Sequence, residues 1–266
     1  MSDVAVTGER RMGINWIGLG TIIRREWSRV WRVPIQAFLA PWISALMFIF
    51  IFGYVVGGNI RHIAGHSYVE FVLPGILMLN VVNAAFLQST SQIYFQRFLR
   101  YIEETLVAPL SYVEMIIGSL AMTIVRSVVT SLGILVIGML FGATHMYNIF
   151  EFLFWIISVS IVFGLLGIMI ALWANNFEQL TMLNVFFIAP LSFVGGVFNT
   201  VAMLPPFMRW IAWANPFFYF INGLRHSMIG FNEAPEGLGV VVTLALIAVL
   251  GAATWRLFSI GYGLRE

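Results

Sequence analysis

Six long apolar stretches constrain the fold of this chain more than any other feature. A helix needs roughly 20 apolar residues to cross the hydrocarbon core of a membrane, and each stretch meets that length. The stretches cover residues 35–57, 71–93, 115–141, 152–174, 180–203 and 238–260. Of the 266 residues, 60% are hydrophobic and only 10% are charged, unlike ordinary soluble domains. The sequence therefore predicts an all-α integral membrane protein with six transmembrane helices.

Ionisable groups are almost absent at membrane depth. Arg126 is the only ionisable side chain deep inside a predicted span, and no Asp, Glu, Lys or His accompanies it. Ion-driven carriers normally keep titratable side chains near the midplane, where the coupling ion binds. The chain also has no lysine, which a phosphate-binding P-loop requires. The sequence thus predicts no internal energy source, so that a partner must supply the power for any work.

Catalytic and metal-binding patterns are weak. The chain has no cysteine, and the hydrolytic signatures H-E-x-x-H and G-x-S-x-G do not occur in it. His62 and His66 have a spacing that two metal ligands on a helix could use, but Gly65 and the loop context weaken that interpretation. Together with His145 and His226 they are predicted to be solvated. We expect no catalytic site, no metal site and no cofactor in this chain.

The segment 204–231 is apolar but interrupted. It begins with Pro205 and Pro206 and is cut at Asn215 and Pro216, where a helix boundary is expected. The pattern predicts two short helices that form an outer re-entrant hairpin between spans 5 and 6. A seventh span is the competing interpretation, because the apolar length alone is sufficient for one.

The distribution of arginines predicts the orientation of the spans. With six spans both termini lie on one side of the membrane, and the side richer in arginine is normally the cytoplasmic one. One side would hold Arg10, Arg11, Arg24, Arg25, Arg29, Arg32, Arg97, Arg100 and Arg265, and the other Arg61, Arg209 and Arg225. Both termini are therefore predicted to be cytoplasmic.

Residues 1–34 form a predicted cytoplasmic N-terminal region that precedes the transmembrane domain, residues 35–266. Between residues 14 and 32, apolar side chains recur at helical spacing and four arginines occupy the remaining surface. Tryptophans at headgroup level and arginines near anionic lipid suit a helix that lies in the plane of the membrane. A lipid anchor and a docking element for a partner both fit this pattern.

The loop 94–111 between spans 2 and 3 carries a second amphipathic pattern. Charged residues of both signs lie off its apolar stripe, namely Arg97, Arg100, Glu103 and Glu104. A short helix of this kind suits force transmission from a soluble subunit, because charge complementarity fixes the register at an interface. The alternative is a solvated connector whose charges pair with one another.

Polar side chains inside the spans leave two alternatives open. Amides in hydrocarbon seek partners, so Asn80, Asn83 and Gln88 on span 2 and Asn184 on span 5 either join helices or line a path for cargo. Arg126 poses a related choice, since it either grips an anionic headgroup or caps free carbonyls between helices.

Three stretches carry a family resemblance that covers essentially the whole chain. They are R-Y-I-E-E-T-L-V-A-P-L-S at 100–111, G-G-V-F at 195–198 followed by L-P-P at 204–206, and N-P-F-F-Y-F-I-N-G-L-R at 215–225. The first resembles the first cytoplasmic loop of ABC-2 type permeases, and the others resemble the fifth span and outer hairpin of that family. The chain is most similar to small bacterial export permeases of the drug and nodulation-factor type.

The resemblance implies a half-transporter of the bacterial inner membrane. Two copies would pair with two cytoplasmic ATPase subunits, which bind ATP and Mg, and membrane lipids but no nucleic acid would be further partners. The ATPase-coupling element would include Arg97, Arg100, Glu103 and Glu104. The path would be lined by Asn80, Asn83, Asn184 and Phe187. The outer gate would contain Phe198, Pro205, Pro206, Asn215, Pro216 and Arg225.

The expected function is ATP-driven export of an amphiphilic molecule, which could be lipid-like, a lipid-linked glycan or drug-like. A membrane enzyme acting on lipids or lipid-linked sugars and a passive channel are the alternatives. Glu103 and Glu104 are the only adjacent acids. Because they lie in the element that resembles a docking site, catalysis is the weaker idea.

Overall fold

The computed structural model describes residues 15–32, 34–56, 62–63, 65–102 and 110–264. These residues include six helices that are long and apolar enough to cross a membrane, which confirms the predicted all-α class. In chain order, spans 1 to 6 are Ile35–Gly53, Tyr68–Phe98, Tyr112–Leu140, Ile149–Trp173, Phe177–Val194 and Glu236–Ile260. The described residues contain no seventh helix of that length.

The first part of the described chain contains an N-terminal helix and span 1. Helix α1 (Trp16–Val30) begins where the Asn15 side chain accepts a hydrogen bond from the Gly18 N–H, and its Trp16 and Trp27 side chains are exposed. Span 1 consists of a π-helical segment, helix α2 (Ala40–Phe50) and the first half of a second π-helical segment. The π-helical segments are Ile35–Leu39 and Ile51–Val56. The antiparallel strands β1 (His62–Ile63) and β2 (His66–Ser67) then lead into span 2.

Spans 2, 3 and 4 are single helices whose starts are fixed by side-chain caps. Helices α3 (Tyr68–Phe98) and α4 (Tyr112–Leu140) each begin with a capping box, in which a serine and a glutamate three residues later satisfy backbone N–H groups. An asparagine caps helix α5 (Ile149–Trp173). Helix α3 runs to Phe98, past the predicted end of span 2, so the first residues of the predicted loop 94–111 belong to the span.

Span 5 is irregular. It comprises helix α6 (Phe177–Leu183), the π-helical segment Asn184–Ile188 and helix α7 (Ala189–Val194). A π-helical segment precedes Pro190 here, as another precedes Pro41 in span 1, and such widened turns accommodate the missing proline N–H. The span ends at Val194 rather than at residue 203, because Gly196 adopts a left-handed conformation with φ +93°.

The segment between spans 5 and 6 contains the two predicted short helices. After a 3₁₀ turn (Val201–Met203), helix α8 (Pro206–Ala214) and helix α9 (Pro216–Ile229) are separated at Asn215. A left-handed glycine at residue 230 ends α9, and helix α10 (Glu236–Ile260) forms span 6. The re-entrant position of α8 and α9 in a membrane stays a prediction.

Helices α3 and α5 form the centre of the bundle, and α9 packs against both of them. The apolar side chains of α9 are almost wholly buried there. Spans 1, 5 and 6 lie at the periphery, with only 22%, 17% and 17% of their most apolar windows buried. Their exposed apolar side chains suit contact with lipid or with another helix.

Candidate functional site

Arg225 on α9 is buried and forms the centre of a polar cluster at one end of the bundle, here called the Arg225 end. Its Nε donates to the carbonyl of Phe71 at 3.1 Å, and its Nη2 donates to the carbonyl of Gly196 at 2.6 Å. The guanidinium carbon lies 3.8 Å from the centroid of the Phe71 ring, and Nη1 lies 3.6 Å from Glu233 Oε1. One side chain thereby joins α9, the start of α3, the turn after span 5 and the loop before span 6.

Glu233 extends this cluster to two further segments. Its Oε2 accepts a hydrogen bond from the Val201 N–H at 2.9 Å, and its own N–H donates to Asn222 Oδ1 at 2.7 Å. Burial raises the pKa of the Glu233 carboxyl above its ordinary value, whereas the Val201 N–H and the charge of Arg225 act in the opposite direction. Sequence patterns singled out neither Glu233 nor Asn222, because neither forms part of a periodic stripe.

The six residues predicted for the outer gate all lie at the Arg225 end. Phe198 stacks on Phe193 at 5.7 Å between ring centroids. Asn215 is buried, and its Nδ2 donates to the Leu191 carbonyl at 2.6 Å while its Oδ1 accepts from the Phe217 N–H. Pro205 precedes α8, and Pro206 and Pro216 are the first residues of α8 and α9. The structure places these residues together, and their gating role stays a prediction.

The prediction that the histidines are solvated is wrong for His226. Its Nδ1 lies 3.0 Å from Glu151 Oε2, and its Nε2 lies 3.1 Å from Glu236 Oε1, with 16% of the side chain exposed. His226 lies in the last turn of α9 and the two glutamates lie in the first turns of α5 and α10. Helix ends of opposite polarity thus bring the three groups together, and the imidazole of His226 lies between the two carboxylates.

Two of the predicted path residues, Asn80 and Asn83, lie on α3, and the other two, Asn184 and Phe187, lie on span 5. Asn184 Nδ2 donates to Asn83 Oδ1 at 2.8 Å, so these two amides join α3 to the start of the π-helical segment. Asn80 and Asn83 each donate to the carbonyl four residues earlier. Phe187, in contrast, points away from the bundle and is 55% exposed. The structure brings three of the four residues together, and nothing in it tests whether they line a path.

The other end of the bundle, here called the Arg97 end, contains a shallow cleft. Arg97 Nη1 donates to the carbonyls of Ala171 and Ala174 at the end of α5, at 2.5 and 3.1 Å. Such cation-to-carbonyl contacts stabilise a helix C-terminus. Arg100 has a left-handed backbone with φ 59° and lines the cleft together with Tyr94 and Phe98. Glu103 and Glu104, the acidic part of the predicted coupling element, lie outside the described residues.

Helix α1 also packs at the Arg97 end. Its Glu26 is buried and lies 3.4 Å from Arg25 Nε and 3.6 Å from Arg29 Nη1, while Gln96 Nε2 donates to its Oε1 at 3.4 Å. An internally paired carboxylate therefore ties α1 to α3. This arrangement places α1 against the bundle, with its tryptophans exposed for contact with a membrane surface.

Known proteins match this chain over nearly its whole length. The family model described as ABC-2 type transporter matches residues 18–229. The chain is 28% identical over 255 residues to the inner membrane transport permease YadH of Escherichia coli K12, covering 96% of this chain and 100% of that protein. It is 23% identical over 239 residues to nodulation protein J of Rhizobium leguminosarum bv. viciae, covering 89% and 91%.

The matched segment includes spans 1 to 5 and helices α8 and α9, so it contains Arg225 and the Asn83–Asn184 pair, while Glu233 lies just beyond it. Three findings agree with one another: the described part of the chain has six candidate spans, the chain matches a transport permease over that protein's full length, and a family model covers most of the chain. This chain therefore belongs to the ABC-2 type transporter family and is a multi-pass transport permease.

Proposed function

We propose that this chain is the membrane subunit of an ATP-driven exporter in the bacterial inner membrane, with both termini cytoplasmic. The observation that carries the proposal is the end-to-end match to an inner membrane transport permease. The carboxylates of the spans lie only in the first turns of helices, so none is placed to bind a coupling ion near the midplane. The chain also has no lysine, which a P-loop needs to bind the phosphates of ATP. ATP and Mg would bind to a separate ATPase subunit.

Two copies of the chain and two ATPase subunits would form the complete transporter. The Arg97 end would face the ATPase, with Arg97, Arg100, Glu103 and Glu104 at the contact, and ATP binding there would draw the two copies together. The cargo would be amphiphilic, either lipid-like, a lipid-linked glycan or drug-like. It would pass the half-buried amides of Asn80, Asn83 and Asn184 and the exposed ring of Phe187, and leave through the gate residues at the Arg225 end.

Reversing the charges of Glu103 and Glu104 tests the ATPase contact. We expect Glu103→Arg with Glu104→Arg to lower cargo-stimulated ATP hydrolysis of the assembled complex by about tenfold, which corresponds to ~1.4 kcal/mol of lost coupling. The reason is that charge complementarity fixes the register of such an interface. Hydrolysis by the purified complex and abundance of the permease in membranes are measured together.

Arg209→Glu is the matched control, because Arg209 is an exposed residue at the opposite end of the bundle. This variant should leave stimulated hydrolysis unchanged. Normal stimulation in the double variant would exclude Glu103 and Glu104 from the ATPase contact. Equal losses in hydrolysis and abundance would indicate a folding defect instead of uncoupling.

A further inference from the structure

Arg126 is a charged residue midway along α4, which is span 3. It follows Tyr112 by fourteen residues, which places it about 21 Å along a helix that rises about 1.5 Å per residue. Its Nη1 donates to Gln88 Oε1 at 2.5 Å, its Nε is buried without a partner, and the residue is partly exposed. The structure does not show Arg126 capping a carbonyl, which was one of its two predicted roles.

No carboxylate among the described residues is placed to neutralise Arg126. The described residues form no ion pair with it. The only acids in the six spans lie in the first turn of a helix, namely Glu70, Glu114, Glu151, Glu178 and Glu236. Glu114, on the same helix, is about 18 Å away along the axis and already accepts backbone hydrogen bonds from Ser111 and Asn15.

A second copy of the chain would not supply the missing charge either, because its spans also hold acids only in their first turns. Headgroups of resting lipids lie at the edges of a hydrocarbon core about 30 Å thick, hence about 15 Å from the midplane. That distance exceeds the length of an arginine side chain. The described acids and the headgroups of resting lipids thus lie away from Arg126, whereas the headgroup of a molecule that crosses the membrane passes this depth.

The surroundings of Arg126 offer further hydrogen-bond donors. Gln88 on α3 accepts from Arg126 on α4, and the hydroxyls of Ser89 on α3 and Thr123 on α4 are hydrogen-bonded to each other. The two helices therefore share polar contacts at this depth. One turn along α3, both amide atoms of the buried Gln92 lack a partner. The hydroxyls of Ser127, Thr130 and Ser131 on α4 are likewise buried and unpartnered. Such donors complement an acceptor-rich anion.

We propose that Arg126 binds the anionic headgroup of the transported amphiphile midway across the membrane, and that the cargo class is an amphiphile with a phosphate-type headgroup. This inference rests on the proposed export function and narrows its cargo. Gln88 positions the guanidinium through its Oε1, and the guanidinium N–H groups that stay accessible bind the headgroup. A neutral cargo would leave the charge of Arg126 uncompensated during transport, whereas an anionic cargo compensates it.

Binding to the purified full chain in a non-ionic detergent tests this assignment without ATP or an ATPase. The probes are dodecyl phosphate, dodecylphosphocholine and inorganic phosphate. The first two have the same alkyl chain but differ in the net charge of the headgroup, and the third is an anion without an alkyl chain. We expect the wild-type chain to bind dodecyl phosphate at least tenfold more tightly than either of the other probes. Arg126→Gln should abolish that preference, Arg126→Lys should retain part of it, and the exposed-site control Arg209→Gln should retain all of it.

Equal binding of dodecyl phosphate and dodecylphosphocholine to the wild-type chain would overturn the proposal, and that comparison does not depend on the folding of any variant. Equally tight binding of inorganic phosphate would overturn the amphiphile part. Displacement of dodecyl phosphate by phosphatidylglycerol in nanodiscs would assign the site to a bilayer lipid and not to cargo. Because no nucleotide is present, these outcomes are independent of whether ATP drives export.

Discussion

Replacement of Arg225 by leucine should lower the free energy of unfolding by about 3–5 kcal/mol, the range for breaking a buried ion pair by removal of one partner. The variant removes one partner of the largely buried Glu233 side chain and the donors for the carbonyls of Phe71 and Gly196. Four segments of the chain lose their common contact. Thermal unfolding in detergent micelles measures the effect, with a shift of roughly 2–4 °C for each kcal/mol in a chain of this size.

Arg209→Leu serves as the matched control, since Arg209 is exposed at the same end and donates only to nearby carbonyls. Its unfolding temperature should change by less than a third of the shift that Arg225→Leu produces. Arg225→Leu combined with Glu233→Leu should recover part of the loss, because an isolated buried carboxylate is then removed. Equal stability of Arg225→Leu and wild type would show that the cluster does not hold this end of the bundle together.

Gly75→Ala should destabilise the chain by about 1–3 kcal/mol or more, because overpacking forces the backbone to move. A Cβ at residue 75 would lie 2.7 Å from the carbonyl oxygen of Val197 and 2.8 Å from its Cα. These atoms belong to the backbone of the turn after span 5, which Arg225 also holds through Gly196. No side-chain rotation relieves the clash, so α3 and the turn must separate. The fraction of monodisperse protein after heating reports the loss.

Gly251→Ala is the control for the glycine effect, since a Cβ there meets no atom within 4 Å and residue 251 also lies inside a span. Alanine favours a helix by about 1 kcal/mol over glycine, so this variant should be as stable as wild type or more so. If Gly75→Ala and Gly251→Ala behave alike, the close approach of α3 to the turn at Val197 is not present in the protein.

The sequence predicted the spans well because membrane crossing requires long apolar runs, which are local properties. Four of the six span starts coincide with side-chain caps, at Ser67, Ser111, Asn148 and Asn176. The end of span 5 was predicted too late, because residues 197–203 continue the apolar composition beyond Gly196. A hydropathy pattern does not detect a glycine in the left-handed conformation, although the helix ends next to it.

The polar contacts of the candidate site could be predicted only in part. Arg225 was assigned to the gate by family resemblance, but its partner carbonyl at Phe71 lies 154 residues away in the sequence. Glu233 and His226 acquire their partners only when α9 packs against α3 and α5. Tertiary packing decides which buried polar groups meet, and no spacing rule within one helix contains that information.

We expect this chain to have no energy source of its own. Proteoliposomes that contain the purified chain, with or without its ATPase partner and ATP, test that claim by measuring net movement of fluorescent neutral, zwitterionic and anionic amphiphiles against a concentration gradient. We expect movement only when partner and ATP are both present. Accumulation of any of these probes against its gradient by the isolated chain, without nucleotide, would contradict the account.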